Sequence, residues 1–244
     1  MRNQRLHWID PASPPDAFPP VEIALREPEG LLAVGGDLSP ERLLAAYRRG
    51  IFPWFVEGQP ILWWSPDPRC LFRPASFHRS KTLRKAIRRS NFTVTFNQQF
   101  EAVMQACAEP RPHQDGTWIT RDMLSAFTLL HRSGWAHSVE VLDDGELIGG
   151  IYGLAIGRAF FGESMFSRRD NASKFAMTAL LAELTKRDFL LLDGQVESPH
   201  LLSLGADMVP RAGFIRLLDV ACDPQTPLTG LPNREYPVSG LLVE

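Results

Sequence analysis

The period of hydrophobic positions changes several times along the chain. Between residues 10 and 30 no period holds. Pro11, Pro14, Pro15, Pro19, Pro20 and Pro28 exclude a regular helix or central strand there, which leaves an extended arm pinned by Trp8, Phe18 and Val21. A helix is expected after Ser39, which can cap it with Pro40 at the first position. Leu43, Leu44 and Tyr47 form its apolar face, Arg48 and Arg49 suit its negative end, and Gly50 is a natural stop. Residues 51–75 contain Trp54, Trp63 and Trp64 and the prolines Pro53, Pro60, Pro66, Pro68 and Pro74. They predict a hairpin-like or irregular layer, with a domain junction near Asp67.

A second helix is expected from Ser80 to about Arg89, with Leu83 and Ile87 inward at i, i+4. The alternation in residues 92–96 reads as a strand. Asn97 is expected to cap a helix with Phe100, Val103, Met104 and Cys107 inward, residues 109–118 to be a loop, and Thr120 to cap a helix through Leu124, Phe127 and Leu130. The pattern then turns to sheet: strands at 137–142, 146–157 and 159–166, joined by the turn Asp143-Asp144-Gly145 and the turn at Gly157-Arg158. Gly149, Gly150 and Gly153 suggest bulges or close backbone approach. A helix from about Asn171 to Arg187, a buried strand at 189–195 and a short helix at 199–204 complete the order, and the tail after Phe214 is weakly patterned. This is an α+β arrangement in the element order of the GNAT acyltransferases, with a small N-terminal domain (1–67) joined to a GNAT-like C-terminal domain (68–244).

The 244 residues carry 26 Lys+Arg against 28 Asp+Glu, a formal net charge of −2, which by itself speaks against a nucleic-acid partner. The distribution reverses that reading. Arg69, Arg73, Arg79, Lys81, Arg84, Lys85, Arg88 and Arg89 fall between Pro68 and Ser90 with no acid among them, so the protein reads as an acidic body with one basic strip. Like charges on one helix repel, and a phosphate backbone would relieve them. The three cysteines (Cys70, Cys107, Cys222) are widely spaced and give neither a disulfide framework nor a zinc pattern. A polar N-terminus without an apolar core and the absence of long apolar runs make a cytoplasmic protein the expectation.

Three groups of residues could carry chemistry. The tryptophans could stack on bases or simply pack in the core. Glu163, a carboxylate inside the apolar run FFGESMF, needs a partner or a ligand. Asp193 and Gln195 end a buried strand as LLLDGQ, where ligands enter, or Asp193 merely caps a turn. P-loop, GxGxxG, HExxH and GxSxG motifs are missing, as is the pyrophosphate loop of coenzyme A-dependent acyltransferases; SRRDNASK stands in its place. A coenzyme A-dependent N-acetyltransferase and a non-catalytic RNA-binding module remain the alternatives on these features.

The segments EGLLAVGGDLSPERLLAAYRRGIFPWF, PILWWSPDPR, GTWIT, HSVEVLDDGELIGGIYG, GESMFSRRDNASK, DGQV and SLGA together resemble the leucyl/phenylalanyl-tRNA–protein transferases, from Arg26 to about Arg211. The resemblance implies a bacterial, cytoplasmic, monomeric enzyme that uses no metal and no ATP. It would move Leu or Phe, and to a lesser degree Met, from aminoacyl-tRNA to the N-terminal Arg or Lys of a protein, creating an N-end rule degradation signal. It assigns Asp193 and Gln195 to a relay toward the attacking amine and Glu163 to substrate positioning. It places Trp54 and Trp118 on the terminal adenosine, and Phe160, Met165, Ile151 and Leu192 around the substrate side chain. The basic helix residues Lys81, Arg84, Lys85, Arg88 and Arg89 then become candidates for the tRNA backbone. Two positions depart from the family pattern: Gly194 stands where Cys is frequent, and Phe161 where a small residue can occur.

Overall fold

The computed structural model describes residues 6–77, 79–110, 117–223, 225 and 230–242. In chain order the elements are β1 (His7–Ile9), β2 (Leu31–Gly35), α1 (Pro40–Arg48), β3 (Phe52–Pro53), β4 (Leu62–Trp64), β5 (Arg69–Phe72), α2 (Lys81–Arg89), β6 (Thr93–Phe96), α3 (Phe100–Ala108), α4 (Arg121–Arg132), β7 (Ala136–Asp143), β8 (Glu146–Ile156), β9 (Ala159–Ser167), α5 (Ala172–Lys186), β10 (Leu191–Gln195), α6 (Pro199–Ser203), β11 (Asp207–Val209), α7 (Arg211–Ala221) and β12 (Glu235–Pro237). The expected α+β class is what the chain adopts.

Two sheets divide between Trp64 and Arg69. The first has the order β1-β2-β4-β3 and the second the order β11-β5-β10-β9-β8-β7-β6-β12. In the second sheet β9 and β10 are parallel and joined by the crossover helix α5, while the remaining neighbours are antiparallel. Each face buries its own core. One core joins α1, α3, α4, α7 and the N-terminal sheet through Tyr47, Trp63, Phe127, Phe161 and Phe214. The other lies under α2 and α5 and includes Leu83, Ile87, Ile151, Phe160, Phe175 and Leu192. The first core is continuous from Ile9 to Cys222, so the N-terminal part and the large sheet share buried apolar surface.

Local chemistry explains several boundaries. The Ser39, Ser80 and Thr120 side chains accept backbone hydrogen bonds at the starts of α1, α2 and α4. Gly50 takes φ +69° just past α1, where a Cβ would meet Phe214 and Ile215 at 2.9 Å. On α2 only Leu83 and Ile87 are buried, and the five cations are exposed.

The structure corrects several expectations. Trp8 is 65% exposed and does not pin the arm, whereas Phe18 and Val21 are buried. Gln99, without a side-chain cap, begins α3; Asn97 adopts φ 60° and instead accepts from the Ser138 N–H and donates to the Leu231 carbonyl. The tail is ordered by α7, whose Phe214, Leu218 and Ala221 are buried. β2 and β5 are buried at every position and show no alternation, so sequence periodicity misses them. Arg69 is 1% exposed and leaves the basic strip. Of the loop expected over 109–118, residues 111–116 lie outside the described residues.

Candidate active site

The parallel strands β9 and β10 bond through Leu191↔Ala159, Leu192↔Phe160 and Asp193↔Phe161. Beyond that last pair β9 continues along β8 and β10 along β5, so a cleft opens at their C-terminal ends. A cavity of about 900 Å³ fills it. Its wall is built by Glu163–Arg168 of β9 and the residue beyond, by Gly194, Gln195 and Val196, by Phe52, Pro53 and Trp54 of the N-terminal part, and by Trp118. Clefts at the carboxyl ends of parallel strands are where α/β sheets receive ligands.

Two irregularities aim the polar groups. In β9 the pairs Gly153↔Gly162 and Tyr152↔Ser164 leave Glu163 as an extra residue, a bulge that interrupts the strand's alternation. A Cβ on Gly153 would meet the Phe161 carbonyl at 2.1 Å, so the close approach there requires glycine. In β10 the register shifts between Asp193 and Gln195 past Gly194, and Gln195 adopts φ 63°. A non-glycine residue in this region costs about 1–3 kcal/mol unless its surroundings hold it.

They do hold it. The Gln195 N–H donates to Asp193 Oδ1 at 2.8 Å, and its side-chain Nε2 donates to Glu163 Oε1 at 2.8 Å. Tyr47 Oη donates to the same Glu163 Oε1 at 2.7 Å. Glu163 Oε2 is enclosed and has no hydrogen-bond partner. Burial is the main cause that pushes the Glu163 carboxyl up to about 8; the Tyr47 hydrogen bond pulls it down and the Asp193 charge adds to the rise. Tyr47, fully buried and facing Glu163, titrates well above its ordinary value, chiefly through burial. Asp193 is 0% exposed and lies behind the cavity wall. Arg69 Nε and Nη2 bind its two oxygens at 2.8 and 2.6 Å, a bidentate pair that compensates a charge otherwise too costly to bury.

Of the residues singled out in the sequence, Glu163, Gln195, Trp54, Trp118 and Met165 line the cavity together. Trp54 is 43% exposed and packs at 5.7 Å against Trp64, whose Nε1 donates to the Trp54 carbonyl. Phe160, Ile151 and Leu192 lie beside Met165 in the core beneath α5 and do not line the cavity. Nor do the five exposed cations of α2. The sequence pattern does not single out Tyr47, which reads as a packing aromatic, or Arg69, which reads as one of a charge run. The signal for Arg69 was that a carboxylate in the buried run LLLDGQ needs a cation, and the cation opening the apolar run RCLF can supply it. Among the described residues no cluster of three or more His, Cys, Asp or Glu side chains could hold a metal ion.

The family described as leucyl/phenylalanyl-tRNA protein transferase matches residues 71–219, and its N-terminal domain matches residues 36–67. A leucyl/phenylalanyl-tRNA–protein transferase of Pseudomonas fluorescens is 58% identical over 202 residues, 82% of this chain and 89% of the relative. One of Xanthomonas euvesicatoria is 60% identical over 199 residues, 81% of this chain and 80% of the relative. Among solved structures, a ribosomal-protein-alanine N-acetyltransferase from Brucella melitensis is similar at 15% identity and a TM-score of 0.33, over 46% of this chain and 87% of that one. On the sequence matches, the chain is an aminoacyltransferase and belongs to the leucyl/phenylalanyl-tRNA protein transferase family.

Proposed function

We propose that the enzyme moves Leu or Phe, and Met more weakly, from aminoacyl-tRNA to the α-amine of an N-terminal Arg or Lys on an acceptor protein. The product carries an N-end rule degradation signal. The observation that carries the chemical reading is the enclosed, unpartnered Oε2 of Glu163 in the wall of a cavity that also presents Trp54 and Trp118. The relatives' names supply the substrate classes.

In the reaction the amine nitrogen attacks the ester carbonyl carbon, the bond from that carbon to the ribose oxygen breaks, and one proton passes from nitrogen to the ribose oxygen. The free α-amine has a reference pKa of about 7.7–8.0, so a reactive fraction exists near neutrality and positioning supplies much of the rate. Glu163 Oε2 takes the amine proton and returns it to the leaving oxygen. Tyr47 and Gln195 hold the other carboxyl oxygen, and Gln195, which has no titratable proton, orients rather than relays. Asp193 acts through Gln195, because both of its oxygens are already bound by Arg69. No covalent enzyme intermediate is needed. Trp54 and Trp118 stack on the terminal adenosine, the Leu or Phe side chain enters beside Met165 toward Phe160, Ile151 and Leu192, and α2 binds the acceptor stem through Lys81, Arg84, Lys85, Arg88 and Arg89 without reading sequence.

We further infer a cytoplasmic monomer of two domains, 1–67 and 68–244. The change of sheet between Trp64 and Arg69 supports this division, and among the described residues no helix is long and apolar enough to cross a membrane. The test is incubation of the purified protein with Leu-tRNA and a peptide beginning with Arg. Gain of one leucyl residue by amide linkage supports the reading; no gain, or acetylation from acetyl-CoA instead, contradicts it.

A further inference from the structure

We propose that Arg69 is a positioning residue for the transfer reaction: it fixes the Asp193 carboxylate that holds Gln195, and through Gln195 it sets the Glu163 carboxyl. This rests on the reading of the cavity given above.

Arg69 stands at the start of β5, the antiparallel neighbour of β10. Each nitrogen of its guanidinium has a partner. Nε and Nη2 bind Asp193, and Nη1 donates to the Gly50 carbonyl at 3.2 Å. The Phe52 and Phe214 rings lie 4.8 and 4.7 Å from it. No part of it lines the cavity, so it does not touch substrate. Its effect runs outward. Asp193 Oδ1, oriented by Arg69, accepts the Gln195 N–H, and this bond is the backbone restraint, beside the side-chain bond to Glu163, on a residue in a left-handed conformation next to the unpaired Gly194. Without the guanidinium, Asp193 would be an uncompensated buried carboxylate and would turn or take a proton. Gln195 would lose its acceptor, and its amide would drift from Glu163. The bond to Gly50 also ties this strand end to the turn after α1, the helix that carries Tyr47. The two donors on Glu163 Oε1 are thus held from a common anchor.

A purely structural ion pair makes a different prediction. A buried pair can be replaced by apolar residues of similar volume with little loss of stability, so a structural role would be restored by such a replacement and a positioning role would not. The experiment compares the full-length wild type with Arg69→Lys and with the double variant Arg69→Met/Asp193→Leu. It measures thermal unfolding, tRNA binding, and kcat and KM for leucyl transfer from Leu-tRNA. The double variant is expected to unfold close to wild type and to bind tRNA normally, with kcat down at least about tenfold and KM little changed. Arg69→Lys, a single point donor that cannot make the bidentate contact, is expected to fold and to show the same split in milder form. Wild-type kcat in the double variant overturns the proposal. Should the double variant fail to fold, Arg69→Lys decides: reduced kcat at unchanged KM supports it, and wild-type kcat overturns it. A wild type that transfers nothing sinks the reading of the cavity alone. Amide exchange at Gln195 then decides for Arg69: faster exchange in Arg69→Lys supports the anchoring role, and unchanged exchange overturns it.

Discussion

The Tyr47 hydroxyl donates to Glu163 Oε1 at 2.7 Å, and with that bond helix α1 reaches from the N-terminal part to the cavity wall on β9. Since this bond opposes the upward push of burial on Glu163, Tyr47→Phe should raise the Glu163 pKa above its present value of about 8. The alkaline rise of the transfer rate should then move to higher pH, with the loss largest near pH 7 and smallest at the alkaline end. The protein should lose on the order of 1 kcal/mol of stability from the deleted hydrogen bond. A rate–pH profile superimposable on wild type would remove Tyr47 from the site.

Glu163 also makes a stability prediction with a definite sign. Its folded pKa, about 8, lies above the ordinary carboxyl value of 4.5, so between these limits the folded state binds the proton more tightly than the unfolded state. The stabilisation is fully present below the lower limit and is lost as pH rises through the upper one. Glu163→Gln removes this term. Its stability relative to wild type should climb as pH rises from about 4.5 to about 8 and level off above that, as urea unfolding at a series of pH values can measure. A difference independent of pH would mean that the Glu163 carboxyl is not raised.

Trp54 and Trp118 both stand on the cavity wall. Replacing either with Ala should weaken binding of a minimal aminoacyl-adenosine by about 1–3 kcal/mol, the range for loss of one base–aromatic stack. Calorimetric titration reads the change. Unaltered affinity in both variants would return these tryptophans to packing roles.

The cations of α2 lie apart from the cavity, so their effect should separate from the chemistry. Arg84→Ala combined with Arg88→Ala should weaken tRNA binding and lower the slope of log affinity against log salt by about one unit per lost phosphate contact. Transfer from the minimal aminoacyl-adenosine should be unchanged. Unchanged tRNA affinity would show that α2 does not meet the acceptor stem.

Much of the fold was legible because its elements follow local rules. Ser39, Ser80 and Thr120 cap the helices they were expected to cap, and the meander β7-β8-β9 follows alternation and turn chemistry. The misses have physical causes. β2 and β5 are buried on both faces and carry no period, and Asn97 uses its amide on Ser138 and Leu231 rather than on the helix beside it. At the site, Glu163 and Gln195 announced themselves as polar groups in apolar surroundings. The partnership of Arg69 with Asp193 joins residues 124 positions apart, and that of Tyr47 with Glu163 joins residues 116 apart, so only the tertiary fold reveals them.

If this cavity transfers an aminoacyl group with Glu163 as proton acceptor, removing that carboxylate slows the transfer. Single-turnover transfer of labelled leucine from Leu-tRNA to a peptide beginning with Arg, wild type against Glu163→Gln, tests it most directly. Expected are transfer by wild type, near-normal tRNA affinity in the variant, and a rate lower by roughly 100-fold, the lower end of what positioned acid–base catalysis contributes. Equal rates in the two proteins would contradict it.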